Sequence, residues 1–296
     1  MTYFIVMNCV SHHKKSFKAI IVLIAFSLLS TPLIYPILAD QIQKETNTGH
    51  LEDTTNQNRI PQLNILNGRI ILYESPKTLP SEDGFPVLFV LHGASQYPFA
   101  WFFPLNPWSY QQSLFVEKAL ESGFFVIAPS SGRPMRPGPH AWSSFIADTN
   151  ESEDLQLFQS LFNWLEEKNS MLDLDNVYCA GFSSGGFMTS RLAKTFPTYF
   201  SGVLIHSGTD ADSISFTETG PQFDCESPQN YPTNHPPTLI VHGEKDALVP
   251  YECGFHLYTE LKRNNITVSL LTDPNNGHIW LSSFSDEMIS WFQSIE

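Results

Sequence analysis

From about residue 63 onward, short apolar or β-branched runs alternate with stretches whose apolar residues recur at helical spacing, and few architectures accept that alternation. Runs at 70–73, 87–91, 124–128, 177–180, 203–205, 238–241 and 268–271 read as strands. The stretches 111–121, 155–167, 185–195, 254–264 and 284–295 read as helices. Strands separated by helices predict one α/β domain over 62–296, with a mostly parallel central sheet flanked by helices. No internal repeat is visible. In such sheets the chemistry sits at the carboxyl ends of the strands.

Composition agrees with a large core: charged residues are 16% of the 296 and aromatic residues 13%. A chain this poor in charge and rich in rings is neither disordered, coiled coil nor collagen. Its formal net charge of −14 repels phosphates, which argues against nucleic acid and anionic lipid as partners.

The first 39 residues stand apart. Lys14, Lys15 and Lys18 precede an apolar run at 19–29, and a second apolar patch ends at Ala39. That layout predicts a signal peptide over 1–39 cleaved after Ala39, with an uncleaved membrane anchor as the alternative. Either way the remainder is expected outside the cytoplasm, secreted or periplasmic, or anchored at the membrane. Residues 40–61 are polar and aperiodic and read as a flexible tether. Of the cysteines beyond the signal, Cys179 reads as a buried core residue. Cys225 and Cys253 are expected to pair in an oxidising compartment, two unpaired thiols being the alternative.

After the strand ending at Ala180 comes Gly181-Phe182-Ser183-Ser184-Gly185 and then a helix. This is G-x-S-x-G in the strand-to-helix setting that lifts a serine hydroxyl above a sheet. A serine is a poor nucleophile unaided; it needs a base, and the base needs an orienting acid. The strand at 238–241 leads to His242-Gly243-Glu244-Lys245-Asp246, and the strand at 268–271 to Asp273 and then His278. Ser183, Asp246 and His278 thus stand in order at three strand ends. Glu244 and Asp273 are rival acids, and His256 and His242 rival bases. The oxyanion donors are expected to be the backbone N–H of Ser184 and that of Ala94, in the loop Leu91-His92-Gly93-Ala94-Ser95-Gln96. No HExxH or CxxC pair is present, so neither a metal nor a cofactor is called for.

Together, LHGASQ at 91–96, GFSSGGFMTSRLA at 181–193, HGEKDALVPYECG at 242–254 and GHIW at 277–280 resemble secreted esterases of the polyhydroxybutyrate depolymerase and feruloyl esterase type, within the α/β-hydrolase superfamily. The resemblance implies an α/β-hydrolase fold over roughly 63–296. It also implies hydrolysis of carboxylic esters in polyester oligomers or in hydroxycinnamoyl and acetyl decorations of polysaccharide. It makes Ser183 the nucleophile, Asp246 the acid, His278 the base, and Ala94 and Ser184 the oxyanion donors. Ala94 departs from the cysteine many depolymerases carry, which weakens a polyhydroxybutyrate assignment. A soluble or oligomeric ester is the expected partner, since no appended binding domain is read. Trp280, Trp142, Phe182 and Trp101 are the expected substrate-binding residues, and the aromatic stretch 97–110 reads either as an apolar wall or as a buried connection. Two other classes compete: a serine peptidase of the oligopeptidase type, and a non-catalytic binding protein on the same fold.

Overall fold

In the computed structural model, which describes residues 61–131, 140–168, 171–217, 220–226 and 230–295, Asn67 and Gly68 both take positive φ (51° and 72°). They join β1 (Gln62–Leu66) to β2 (Arg69–Glu74) as an antiparallel hairpin. An Asn-Gly turn carries the twist that two-residue hairpins need. The expected signal segment and all but one residue of the expected tether lie outside the described residues, as do residues 132–139.

Eight strands form the main sheet in the order β1-β2-β4-β3-β5-β6-β9-β10. The remaining members are β3 (Phe85–Leu91), β4 (Phe125–Pro129), β5 (Leu172–Phe182), β6 (Gly202–His206), β9 (Thr238–Gly243) and β10 (Val268–Asp273). These six run parallel to one another, and only the pairings of β2, with β1 and with β4, are antiparallel. A separate hairpin, β7 (Ile214–Thr217) with β8 (Gly220–Phe223), stands outside the sheet.

All seven expected strands are present. The expected helices appear as α2 (Pro107–Glu121), α3 (Glu153–Glu167), α4 (Ser184–Thr195), α5 (Tyr251–Arg263) and α6 (Ser285–Gln293), with a short α1 (Phe99–Phe102) before them. Helix α2 begins four residues earlier than its apolar period indicates, because Asn106 caps it and Pro107 fills its first position. The Asn106 side chain accepts from the N–H of Trp108 and Ser109, and the Ser109 hydroxyl accepts the Asn106 N–H in return.

Alternation along the strands divides the core between two layers of helices. Phe89 and Cys179 face α3 and α4, where Phe158, Leu161 and Met188 are buried. Tyr178, on the opposite face of β5, meets Phe292 of α6 with ring centroids 5.0 Å apart. Ile205 and Ile240 meet Leu257 and Leu261 of α5. Each such fully buried side chain contributes about 1.5–3 kcal/mol by leaving water. Cys225 is bonded to Cys253 of α5, with Cα atoms 4.8 Å apart, and this ties the segment after the β7–β8 hairpin to the body of the domain. Cys179 is a free, buried thiol whose pKa burial pushes up to about 12. Among the described residues no helix is long and apolar enough to cross a membrane.

Candidate active site

Strand β5 ends at Phe182 and α4 begins at Ser184, so Ser183 takes the whole turn between them, at φ 53° and ψ −118°. A non-glycine residue pays for a positive φ, and such strain persists only where surrounding structure enforces it. Here the Ser183 N–H donates to the His206 carbonyl (2.9 Å) and fixes the turn. Gly185 makes the turn sterically feasible: a Cβ there would fall on the Leu91 carbonyl at the end of β3.

The Ser183 hydroxyl lies 2.9 Å from His278 Nε2, and His278 Nδ1 lies 2.7 Å from Asp246 Oδ2. An ionised carboxylate only accepts, so Nδ1 carries the proton and Nε2 presents its lone pair to the serine. The other Asp246 oxygen, Oδ1, accepts the N–H groups of Leu248 and Val249, each at 2.9 Å. His242 Nε2 approaches Oδ2 at 3.4 Å while donating to the Val249 carbonyl at 2.9 Å. Burial alone raises the Asp246 pKa, but the His242 ring beside it and the hydrogen bonds from His278 and the Val249 N–H outweigh it and hold the carboxyl well below the ordinary carboxylate range.

The rival residues lie in other contacts. Asp273 closes its own turn through the N–H groups of Asn275 and Asn276, and Glu244 accepts from the exposed Thr272 hydroxyl. His256 pairs with Glu260 one turn along α5. His92 accepts the Ser131 N–H at Nε2 and donates to the Gly93 carbonyl from Nδ1; its burial lowers its pKa to about 4, so it stays neutral.

The loop after β3 passes beside the serine, since a Cβ on Gly93 would come within 3.4 Å of Ser183 Cβ. Its shape is fixed at three points. Gly93 N–H donates to Gln96 Oε1 (2.8 Å), the Gln96 and Gln112 carboxamides pair, and Ser95 N–H donates to the His140 carbonyl (2.8 Å). Among the described residues no hydrogen bond takes up the N–H of Ala94 or of Ser184. Main-chain N–H groups without such a partner are the kind of donor that can meet a developing negative charge. Gln96 and Gln112 escape a sequence reading because amides sixteen positions apart carry no periodic signal.

The four rings expected to bind substrate are buried: Trp101, Trp142, Phe182 and Trp280 are at most 3% exposed. They are the packing behind the site. Trp142 donates from Nε1 to the His92 carbonyl, and its main-chain N–H reaches Ser184 Oγ (2.9 Å). Trp280 sits edge-on against Trp101, with centroids 4.8 Å apart, and Phe182 lies against the His278 ring at 5.0 Å. The 97–110 stretch divides. Trp101 is core, Phe99, Phe102 and Phe103 are half-buried, and Trp108 and Tyr110 on the first turn of α2 are exposed. Among the described residues no cluster of potential metal ligands occurs.

Known proteins resemble this chain in sequence and in fold. The chain is 32% identical to a poly(3-hydroxyoctanoate) depolymerase of Pseudomonas fluorescens over 240 residues, covering 76% of this chain and 80% of that protein. It is 28% identical to feruloyl esterase B of Thermothelomyces thermophilus, over 57% of this chain and 62% of that one. It spans only about a third of the dipeptidyl-peptidases it matches, 32% of the one from Emericella nidulans. An acetyl xylan esterase from Aspergillus awamori shares the fold, with a TM-score of 0.56, 17% identity, and coverage of 76% of this chain and 94% of that one. The sequence model of the prolyl oligopeptidase family matches residues 119–295, more than half of the chain. On that match and the depolymerase relative, this protein belongs to the prolyl oligopeptidase family of α/β-hydrolases.

Proposed function

We propose that this protein is an exported serine esterase that hydrolyses neutral, oligomeric aliphatic esters. The observation that carries the reading is the connected line from the Ser183 hydroxyl through His278 to Asp246. In the reaction Ser183 Oγ attacks the ester carbonyl carbon as its proton passes to His278 Nε2. Charge gathers on the carbonyl oxygen, facing the N–H groups of Ala94 and Ser184. His278 then gives the proton to the departing alcohol; a water molecule, deprotonated by the same histidine, attacks the acyl carbon, and the bond to Ser183 Oγ breaks as Oγ takes the proton back and the acid leaves. Asp246 stays ionised throughout, holds the imidazole tautomer and offsets the charge of the imidazolium.

An aliphatic oligoester is favoured by the relative named for depolymerising poly(3-hydroxyoctanoate), and the net charge of −14 disfavours anionic substrates. The Cys225–Cys253 bond supports an oxidising compartment and hence export. A second reading, peptide hydrolysis, is favoured by the family match at 119–295.

The test is hydrolysis of a p-nitrophenyl alkanoate by the wild type and by Ser183→Ala, followed by a panel of a hydroxyalkanoate oligomer, ethyl ferulate, acetylated xylan and a dipeptide amide. Ser183→Ala is expected to lower kcat by a factor of about 10⁴ or more. Undiminished turnover in that variant rules the reading out, and faster amide than ester turnover replaces it with the peptidase.

A further inference from the structure

We infer that His206 is a positioning residue that locks the loop carrying His278 to the turn carrying Ser183; this rests on the proposed roles of those two residues. His206 is the last residue of β6 and is fully buried. Its main-chain carbonyl accepts the Ser183 N–H at 2.9 Å, and its ring Nε2 lies 2.9 Å from the main-chain N–H of Leu281, three residues beyond His278. One residue therefore hydrogen-bonds both Ser183 and the segment that follows His278.

The ring is held on its other sides as well. It stacks on Trp280 with centroids 4.4 Å apart and planes 22° from parallel, and it meets Phe182 edge-on at 5.6 Å. Phe182 in turn touches the His278 ring. Leu281 N–H can only donate, so Nε2 must be the bare nitrogen and Nδ1 must carry the proton, which it directs to the Ser207 hydroxyl at 3.1 Å. A protonated His206 would present an N–H to the Leu281 N–H and break the lock. Burial and the nearby His242 and His278 push its pKa well down, with Asp246 opposing them, and keep the ring neutral. Three parallel strands bring a buried histidine to the carboxyl-end rim (His92, His206 and His242), but of these His206 alone joins the serine turn to the His278 loop through hydrogen bonds among the described residues.

The decisive comparison is His206→Gln against His206→Asn. A glutamine oxygen reaches the place of Nε2 and can accept from Leu281, whereas an asparagine oxygen reaches only the place of Nδ1. With a p-nitrophenyl ester, the Asn variant is expected to lose about 10- to 100-fold in kcat with KM little changed, the scale of a small misplacement of reacting groups. The Gln variant is expected to recover most of that loss when both are assayed as folded protein. Equal kcat in the two variants, or losses that follow the fall in Tm alone, overturn the lock. A measurement on the wild type needs no variant to fold: long-range 1H–15N spectra should show His206 as the neutral Nδ1–H tautomer from pH 5 to 9. A protonated Nε2 in that range also overturns it. Activity remaining in Ser183→Ala would instead defeat the esterase reading, while the tautomer measurement would be unaffected.

Discussion

Ser183 sits in a backbone region that L-residues avoid, and its neighbours enforce the conformation through the His206 carbonyl and the close approach allowed by Gly185. That places its hydroxyl on His278 rather than in the sheet. Asp246 is held by two main-chain N–H groups on one oxygen and by His278, with His242 close by, on the other. Replacing it with asparagine keeps the shape but removes the charge that fixes the His278 tautomer. Asp246→Asn should lower kcat on a p-nitrophenyl ester by about 10³- to 10⁴-fold with a small change in KM, as judged by steady-state kinetics. A loss below tenfold would mean that another group orients the imidazole.

At the scale of elements, each strand end supplies one part of the site, and the strand-to-helix turns decide how closely the parts approach. The turn after β5 shows this most sharply, because Gly185 lies where α4 crosses the end of β3. Gly185→Ala should destabilise the domain by about 3 kcal/mol, the upper end of overpacking costs, seen as a fall in Tm of roughly 10 °C by calorimetry. An unchanged Tm would show that α4 can shift away without cost. Periodicity identified the seven strands and the five longer helices, because burial on both faces forces continuous apolar strands and amphipathic helices. It missed β1, none of whose residues is fully buried and whose only mark is the Asn67-Gly68 turn. It also missed the start of α2, which is set by capping chemistry at Asn106 and not by an apolar face.

For the molecule as a whole, buried neutral histidines set the response to acid. Burial lowers the pKa of His92 and His235 to about 4 in each case. An unfolded histidine titrates near 6.5, so between those values the unfolded chain binds protons that the folded one refuses. Stability is therefore complete above about pH 6.5 and falls as the pH drops toward 4, by about 2 kcal/mol for each of the two histidines at pH 5. Urea midpoints at pH 7 and pH 5 measure this, and equal midpoints would show that these rings are hydrated in the folded state. Asp246 behaves oppositely. Its depressed pKa makes a contribution that is present above the unfolded carboxyl range and is lost only at still lower pH.

By itself the sequence determined the strand-helix alternation, the Gly181–Gly185 turn, and the order of Ser183, Asp246 and His278. These rest on local spacing and on the chemistry a hydroxyl needs in order to react, both of which are written along the chain. It favoured Asp246 over Glu244 and Asp273 as the acid by its place in the loop beyond a strand, and only the distance to the His278 imidazole separates the three in space. It also placed four aromatic rings on the surface of the site that the tertiary structure puts inside, since an aromatic residue next to a motif looks the same whether it faces solvent or core. The tertiary structure alone decided which carboxylate meets His278, and that the His206 ring meets Leu281, 75 residues along the chain. Such contacts between distant segments arise from the crossing of strands and loops and have no period to reveal them in advance.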